Sequence, residues 1–139
     1  MGQRRNGRTD GEFPEATYPL KSLTERIVAA AIEVHRTLGP GFVEQVYDNA
    51  LALELEQRGH RVGRQVLLDV MYRDRLVGQH RLDLLVDDVV VVELKSVEAL
   101  AEVPKAQLRS TLKAAGRKIG LLINFNQKTL TSGLKRVIN

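Results

Sequence analysis

Apolar residues recur along this chain with two different periods, and the switch between them outlines its elements. Leu23, Ile27, Ala31, Val34 and Leu38 form a stripe at helical spacing, which predicts a first helix ended by Gly39-Pro40-Gly41. Ser22 followed by Glu25 has the form of a capping box opening that helix. A second helix is predicted over about 43–58, stopping near Gly59, with Glu44, Tyr47 and Leu51 on one face. Beyond Gly63 the period shortens. Gln65 to Tyr72 alternates as a strand, Arg73-Asp74-Arg75 turns it, and Leu76 to Val86 and Val89 to Lys95 follow as strands separated by Asp87-Asp88. A helix over roughly 98–115, a buried strand from Ile119 to Asn124 and a short element near Leu134 to Ile138 complete the chain. The order α, α, β, β, β, α, β predicts an α/β sandwich around a mixed sheet. Its first hairpins should be antiparallel and the strands on either side of the last helix parallel. Residues 1–20 mix Gly, Pro, Arg and acids without period and read as a mobile tail, leaving one domain over 21–139.

Two of the predicted strands carry acids at positions that a buried sheet should keep apolar. Asp83 interrupts Arg81-Leu82-Asp83-Leu84-Leu85-Val86, and Glu93 interrupts Val89-Val90-Val91-Val92-Glu93-Leu94-Lys95. A carboxylate taken out of water without a partner costs several kcal/mol, so each must be paired, protonated or bound to a cation. Lys95 falls two residues after Glu93, on the same face of its strand. Two carboxylates and an ammonium should therefore converge between neighbouring strands, either as a site or as a structural ion-pair cluster at a sheet end.

The spacing Asp83, nine residues, then Glu93-x-Lys95 resembles the metal-binding core of the PD-(D/E)XK nuclease superfamily. Upstream, Gly41-Phe42-Val43-Glu44-Gln45-Val46-Tyr47 resembles the Gly-x-x-Glu-x-x-Tyr motif of the GxxExxY family within it, with His35 and Gly39-Pro40-Gly41 as its lead-in. Gln107-Leu108-Arg109 and Gly120-Leu121-Leu122-Ile123-Asn124-Phe125 fall where that family has a helix glutamine and a final core strand; Thr111 departs from it, standing where an aromatic residue is expected. The resemblance covers roughly residues 22–139. It implies a restriction-endonuclease-like core, a three-layered sandwich with a central mixed sheet flanked by helices, and metal-dependent hydrolysis of DNA or RNA phosphodiesters. Asp83 and Glu93 would be direct ligands of Mg²⁺, or of Mn²⁺, with the Leu94 carbonyl as a further oxygen. Glu44 would reach a second metal or a metal-bound water, Lys95 would steady the attacking water or the transition state, and Gln107 would position water or phosphate.

Each role has a plainer counterpart. Glu44 also suits the positive end of its helix, Tyr47 reads as a core aromatic whose hydroxyl finds a partner such as Glu44 as well as a substrate contact, and Gln107 reads equally as a helix-surface residue. His35, His60 and His80 are scattered and read as satisfied or exposed histidines, His35 alone having a motif neighbourhood. The same fold could also serve as a nucleic-acid-binding or protein-interaction module without turnover.

Composition narrows these readings. The chain has no cysteine, which excludes disulfides, thiolate catalysis, cysteine-ligated zinc and an iron-sulfur cluster and is compatible with a reducing cytoplasm. No apolar run approaches the roughly 20 residues that cross a bilayer, and Met1-Gly2-Gln3-Arg4-Arg5 is not followed by a signal segment. The net charge of +4 is unevenly spread: residues 100–139 hold eight Lys/Arg against the single acid Glu102. Within that basic end Lys105, Arg109 and Lys113 form a stripe at one edge of a helix whose other edge carries Gln107, a candidate contact for nucleic-acid phosphates or a solvated face. Self-association is left open by the sequence.

Overall fold

A computed structural model of the chain describes residues 18–98 and 102–139. Helix α1 spans Tyr18–Leu38 and α2 Glu44–Gln57; the strands β1 (Val62–Tyr72), β2 (Arg75–Val86) and β3 (Val90–Lys95) follow, then α3 (Glu102–Ala115), β4 (Ile119–Asn124), a 3₁₀ turn (Leu130–Gly133) and β5 (Leu134–Ile138). The sheet has the order β1-β2-β3-β4-β5. Its β1/β2, β2/β3 and β4/β5 pairs are antiparallel, and β3 and β4, joined through the α3 crossover, are parallel. This is the mixed-sheet α/β sandwich that the periodicity predicts.

Helix α1 begins earlier than its predicted cap. Ser22 lies inside the helix, and Thr24 uses its hydroxyl to donate to the Lys21 carbonyl at 2.9 Å, so the expected capping box does not open the helix. Of the segment expected to be a tail, residues 1–17 lie outside the described residues and 18–20 form the first turn of α1. At its other end Gly39, with φ +73°, donates its N–H to the His35 carbonyl at 2.7 Å, an αL cap that turns the chain toward α2. Arg73 and Asp74 adopt positive φ at both central positions of the two-residue β1/β2 hairpin, which matches the twist of its strands, and Asp87 and Asp88 do so in the three-residue loop 87–89 between β2 and β3. The start of the helix expected from 98 falls partly on undescribed residues; its described part begins at Glu102.

Helices α1 and α2 cover one face of the sheet. Ile27, Ala31 and Val34 from α1, Leu51 and Leu55 from α2, and Leu84, Val92, Leu94 and Leu121 from the sheet belong to one buried cluster. Helix α3 covers the other face, where Leu108 and Leu112 pack on Leu82, Val91, Leu122 and Val137. A Cβ added at Gly120 would meet Leu108 Cδ1 at 3.0 Å, so the missing side chain is what lets α3 approach β4. Among the described residues no helix is long and apolar enough to cross a membrane.

Candidate active site

Strands β1 and β2 pair along their whole length, but β2 and β3 pair only from Leu84–Val86 to Val90–Val92. Beyond Leu84 the β1/β2 ribbon diverges from the sheet, and Asp83 is the first residue of β2 past the fork. The backbone is irregular at the same place: between the pairs Arg64↔Leu84 and Val66↔Leu82, Gln65, opposite Asp83, has φ +51°, and the β1/β2 register shifts further out, between Val70 and Met71. Strand alternation breaks there: Leu84 joins the core under α1 and α2, whereas Leu82 joins the core under α3. With no β2 carbonyl opposite it, the Leu94 N–H donates to Asp83 Oδ2 at 2.8 Å. A carboxylate thus closes the ladder where the backbone opens it.

Glu93 and Lys95 leave β3 on the α3 side of that fork, as their two-residue spacing predicts, and line one small cavity with Gln107. The Glu93 side chain is 14% exposed, and its Oε2 is buried with no hydrogen-bond partner. Burial first, and then the Asp83 charge, push the Glu93 carboxyl up to about 8, with Lys95 acting in the opposite direction. Glu44 approaches Asp83 and Lys95 from the start of α2. Its carboxyl is raised by burial first and by Asp83 next, and lowered by Lys95. Asp83 and Lys95 therefore act on both Glu93 and Glu44, and Gln107 lines a cavity of about 50 Å³ together with Glu93 and Lys95.

Tyr47 holds the loop that aims Glu44. Its hydroxyl donates to the Gly39 carbonyl at 2.6 Å and accepts the Phe42 N–H at 3.1 Å, and its ring stacks on Phe125 with centroids 4.6 Å apart. The partner expected for it, Glu44, is not the one it has. Fully buried, Tyr47 offers no surface to a substrate, which corrects its assignment as a substrate contact. Ser96, next to Lys95, donates its hydroxyl to the Phe42 carbonyl at 2.6 Å, so the loop before Glu44 is also tied to the end of β3. Asn124, opposite Lys95 on β4, is fully buried; its side chain donates to the Val97 carbonyl and accepts the N–H groups of Val97 and Asn126, fixing the chain as it leaves β3.

Two further residues join the cluster that the sequence pattern does not single out. His80 brings Nε2 to 3.8 Å from Glu93 Oε2 and lines the cavity over Glu93 and Lys95. Asp48, one turn after Glu44, is buried and held by Arg64 at 3.1 Å and Gln65 at 3.3 Å, with its carboxyl raised by burial against the pull of Arg64. The i+4 spacing from Glu44 was the available signal for Asp48; His80 had none beyond lying three residues before Asp83.

Other candidates lie elsewhere. His35 binds the Gln127 carbonyl at 2.8 Å and packs near Phe125, and His60 pairs with Asp87 at the β2/β3 turn. Lys105, Arg109 and Lys113 share α3 with Gln107, but none of the three lines the cavity over Glu93. Thr111 is buried, and its hydroxyl donates to the Gln107 carbonyl at 3.0 Å, so the small residue packs where an aromatic one was expected.

The donor set suits a hard cation. Carboxylate oxygens are the ligands that Mg²⁺ and Mn²⁺ prefer, and Mg²⁺ is commonly held by only one or two of them while keeping several waters. Among the described residues no three acids or histidines stand close enough together to hold an ion between them. The pair Asp83 and Glu93 nevertheless fits: an orphaned, buried Glu93 oxygen beside a second carboxylate is what a cation would satisfy.

Comparison with protein families matches residues 21–137 to the PD-(D/E)XK nuclease superfamily, and the chain belongs to that superfamily. A comparison with curated proteins finds no match.

Proposed function

We propose that this member of the PD-(D/E)XK nuclease superfamily hydrolyses phosphodiester bonds of DNA or RNA, with Asp83 and Glu93 holding a divalent cation, Mg²⁺ or Mn²⁺. The observation that carries the reading is Glu93: a buried carboxyl oxygen with no hydrogen-bond partner, on a carboxyl raised by burial and then by Asp83 at the fork of β2 and β3, with Lys95 on the same face. Such an arrangement is a poor ion pair, because Lys95 does not offset the burial and repulsion that protonate Glu93. It is a good cation cradle.

The cation would supply Lewis acidity and a more acidic water. Asp83 would help to hold it, and its Oδ2 accepts the Leu94 N–H, a bond that orients the carboxylate. Lys95 contributes a positive charge at the position where charge develops on the phosphate oxygens. Glu44, raised in pKa by its surroundings, is suited to accept a proton from water or to orient it. Gln107 offers a neutral donor and acceptor across the cavity. The Gly41, Glu44 and Tyr47 spacing further supports membership of the GxxExxY family, since Tyr47 locks the loop from which Glu44 projects. The absence of cysteine suits a reducing cytoplasm.

The test is incubation of the purified protein with labelled single- and double-stranded DNA and RNA in Mg²⁺, Mn²⁺ or chelator. Cleavage should need the metal, and Asp83→Asn and Glu93→Gln should each abolish it. Glu44→Gln should lower single-turnover rate by orders of magnitude with little change in substrate affinity or melting temperature. Wild-type cleavage by both the Asp83 and Glu93 variants would refute the site. Metal-independent binding without any cleavage would leave the alternative, a nucleic-acid-binding or protein-interaction module that does not turn over.

A further inference from the structure

The cavity over Glu93 and Lys95 opens into a larger groove. This groove encloses about 500 Å³ between the diverging β1/β2 ribbon and α3. Leu68, Val70 and His80 form its ribbon wall. Ala106, Ser110 and Ala114, at i, i+4 and i+8, form its helix wall, and Gln107 and Thr111 stand at the edge nearer Glu93. His80, Gln107 and Thr111 line both spaces, so the groove is continuous with the carboxylates. Among the described residues no acid lines it.

We propose that this groove is a nucleobase subsite, which seats one unstacked base of a DNA or RNA strand beside the phosphate on which the Asp83, Glu93 and Lys95 site would act. The proposal rests on the phosphodiesterase reading above and adds the form of the substrate, a single-stranded or locally opened segment. Surface chemistry favours that form. A duplex offers a protein its phosphates and the edges of stacked bases, neither of which can fill a groove walled by Leu68, Val70, Ala106 and Ala114 without unstacking. An exposed base has apolar faces and polar edges, and pockets of this size with mostly apolar walls and a few polar groups are suited to such a flat ligand. The methyl groups of Ala106 and Ala114 keep the helix wall shallow. The His80 ring provides a stacking partner, and the Gln107 amide and Ser110 hydroxyl provide donors and acceptors for a base edge without selecting strongly for one base.

The experiment is an abasic scan. Short labelled single strands of DNA and of RNA, each lacking one base at a successive position, are tested for binding in chelator and for cleavage in Mg²⁺, against wild type and Ser110→Trp. Ser110 is exposed on α3, so the added indole should fill the groove without altering melting temperature. In the wild type, removal of one base at a fixed distance from the cleaved bond should weaken binding by about tenfold or more, the effect of taking away one stacked base. In Ser110→Trp that position dependence should vanish, while affinity for a blunt duplex of the same sequence stays unchanged. Ala106→Trp serves as the second variant and should behave alike. A flat scan in the wild type, or a scan whose profile neither variant alters, overturns the subsite; a change in self-association instead would assign the groove to a second copy of the chain. Absence of cleavage with a localised, variant-sensitive abasic effect on binding would retain the subsite and refute turnover. Cleavage with a flat scan would do the reverse.

Discussion

The two faces of the sheet are finished differently. Among the described residues, twenty buried apolar ones form a continuous cluster under α1 and α2 that reaches from Leu23 to Leu130, whereas six do so under α3. The larger cluster stabilises the fold. The smaller one leaves room beside α3 for the Glu93 cavity and the groove, and Glu93, whose carboxyl burial raises to about 8, lines that cavity. A sheet closed equally on both faces would have no place for a water-accessible carboxylate next to a rigid strand; one open on a whole face would lose the desolvation that raises Glu93.

Truncation on each face tests this contrast most strongly. Leu51→Ala opens a cavity at a fully buried position of the larger cluster and should cost about 2–5 kcal/mol of stability. Leu108→Ala on α3 should fall at or below the lower end of that range, because α3 can settle onto Gly120 and Leu108 already borders the cavity over Glu93. Urea denaturation of both variants gives the comparison. Equal losses would mean that the α3 face is as tightly closed as the other.

A second test uses the proton on Glu93. In the folded, metal-free protein its carboxyl titrates at about 8, against 4.5 for the ordinary value. The folded state therefore binds the extra proton between those limits, and stability falls as pH rises from about 4.5 toward about 8. Glu44 is raised too and adds a slope of the same sign. Glu93→Gln should remove most of the slope, so that the variant matches wild type at low pH and exceeds it above pH 8. Added Mg²⁺ should stabilise the wild type most at the alkaline end, where the carboxylate no longer has to lose a proton to bind it. Denaturation curves at a series of pH values, in chelator and in Mg²⁺, measure both effects. A wild-type slope identical to that of Glu93→Gln would place the ionisation elsewhere.

A smaller effect is expected at Tyr47, which joins the closed face to the site. Tyr47→Phe keeps the ring against Phe125 but leaves the Gly39 carbonyl and the Phe42 N–H without their partner, at about 1–3 kcal/mol. If its hydroxyl aims Glu44 through the loop, single-turnover rate should drop while substrate affinity holds. A fall in affinity alone would restore the substrate contact that its burial argues against.

The same contrast explains what was legible in the sequence. The closed face was readable because its signal is periodic: Leu23, Ile27 and Val34, or the alternating Val90, Val92 and Leu94, announce their elements through spacing alone. Asp83, Glu93 and Lys95 were readable as violations of that periodicity. The fork was not. Nothing in the spacing of Gln65 says that it takes a positive φ opposite the point where β2 leaves β3, nor that His80 comes to Glu93. The Ser22 cap failed for a related reason, since a local capping pattern lost to an apolar face that continues α1 upstream of it. Tyr47 was assigned the wrong partner because the Gly39–Phe42 turn folds back over it, a tertiary arrangement invisible to helical spacing.

The basic stripe on α3 gives the last and smallest expected effect. Lys105, Arg109 and Lys113 flank the helix edge away from Gln107 and line neither the Glu93 cavity nor the groove. They can therefore attract a polyanion without touching the reacting phosphate. Reversing all three charges should weaken nucleic-acid binding and flatten its dependence on salt, by about 0.7 to 0.9 in log–log slope for each phosphate that is no longer neutralised. The rate of a single turnover at saturating substrate should stay near that of wild type, because steering acts on association and not on the chemical step. An unchanged salt slope would make the stripe a solvated face or a surface for a protein partner. A drop in saturated turnover would instead show that α3 delivers charge to the open side of the sheet at closer range than the separation of stripe and cavity implies.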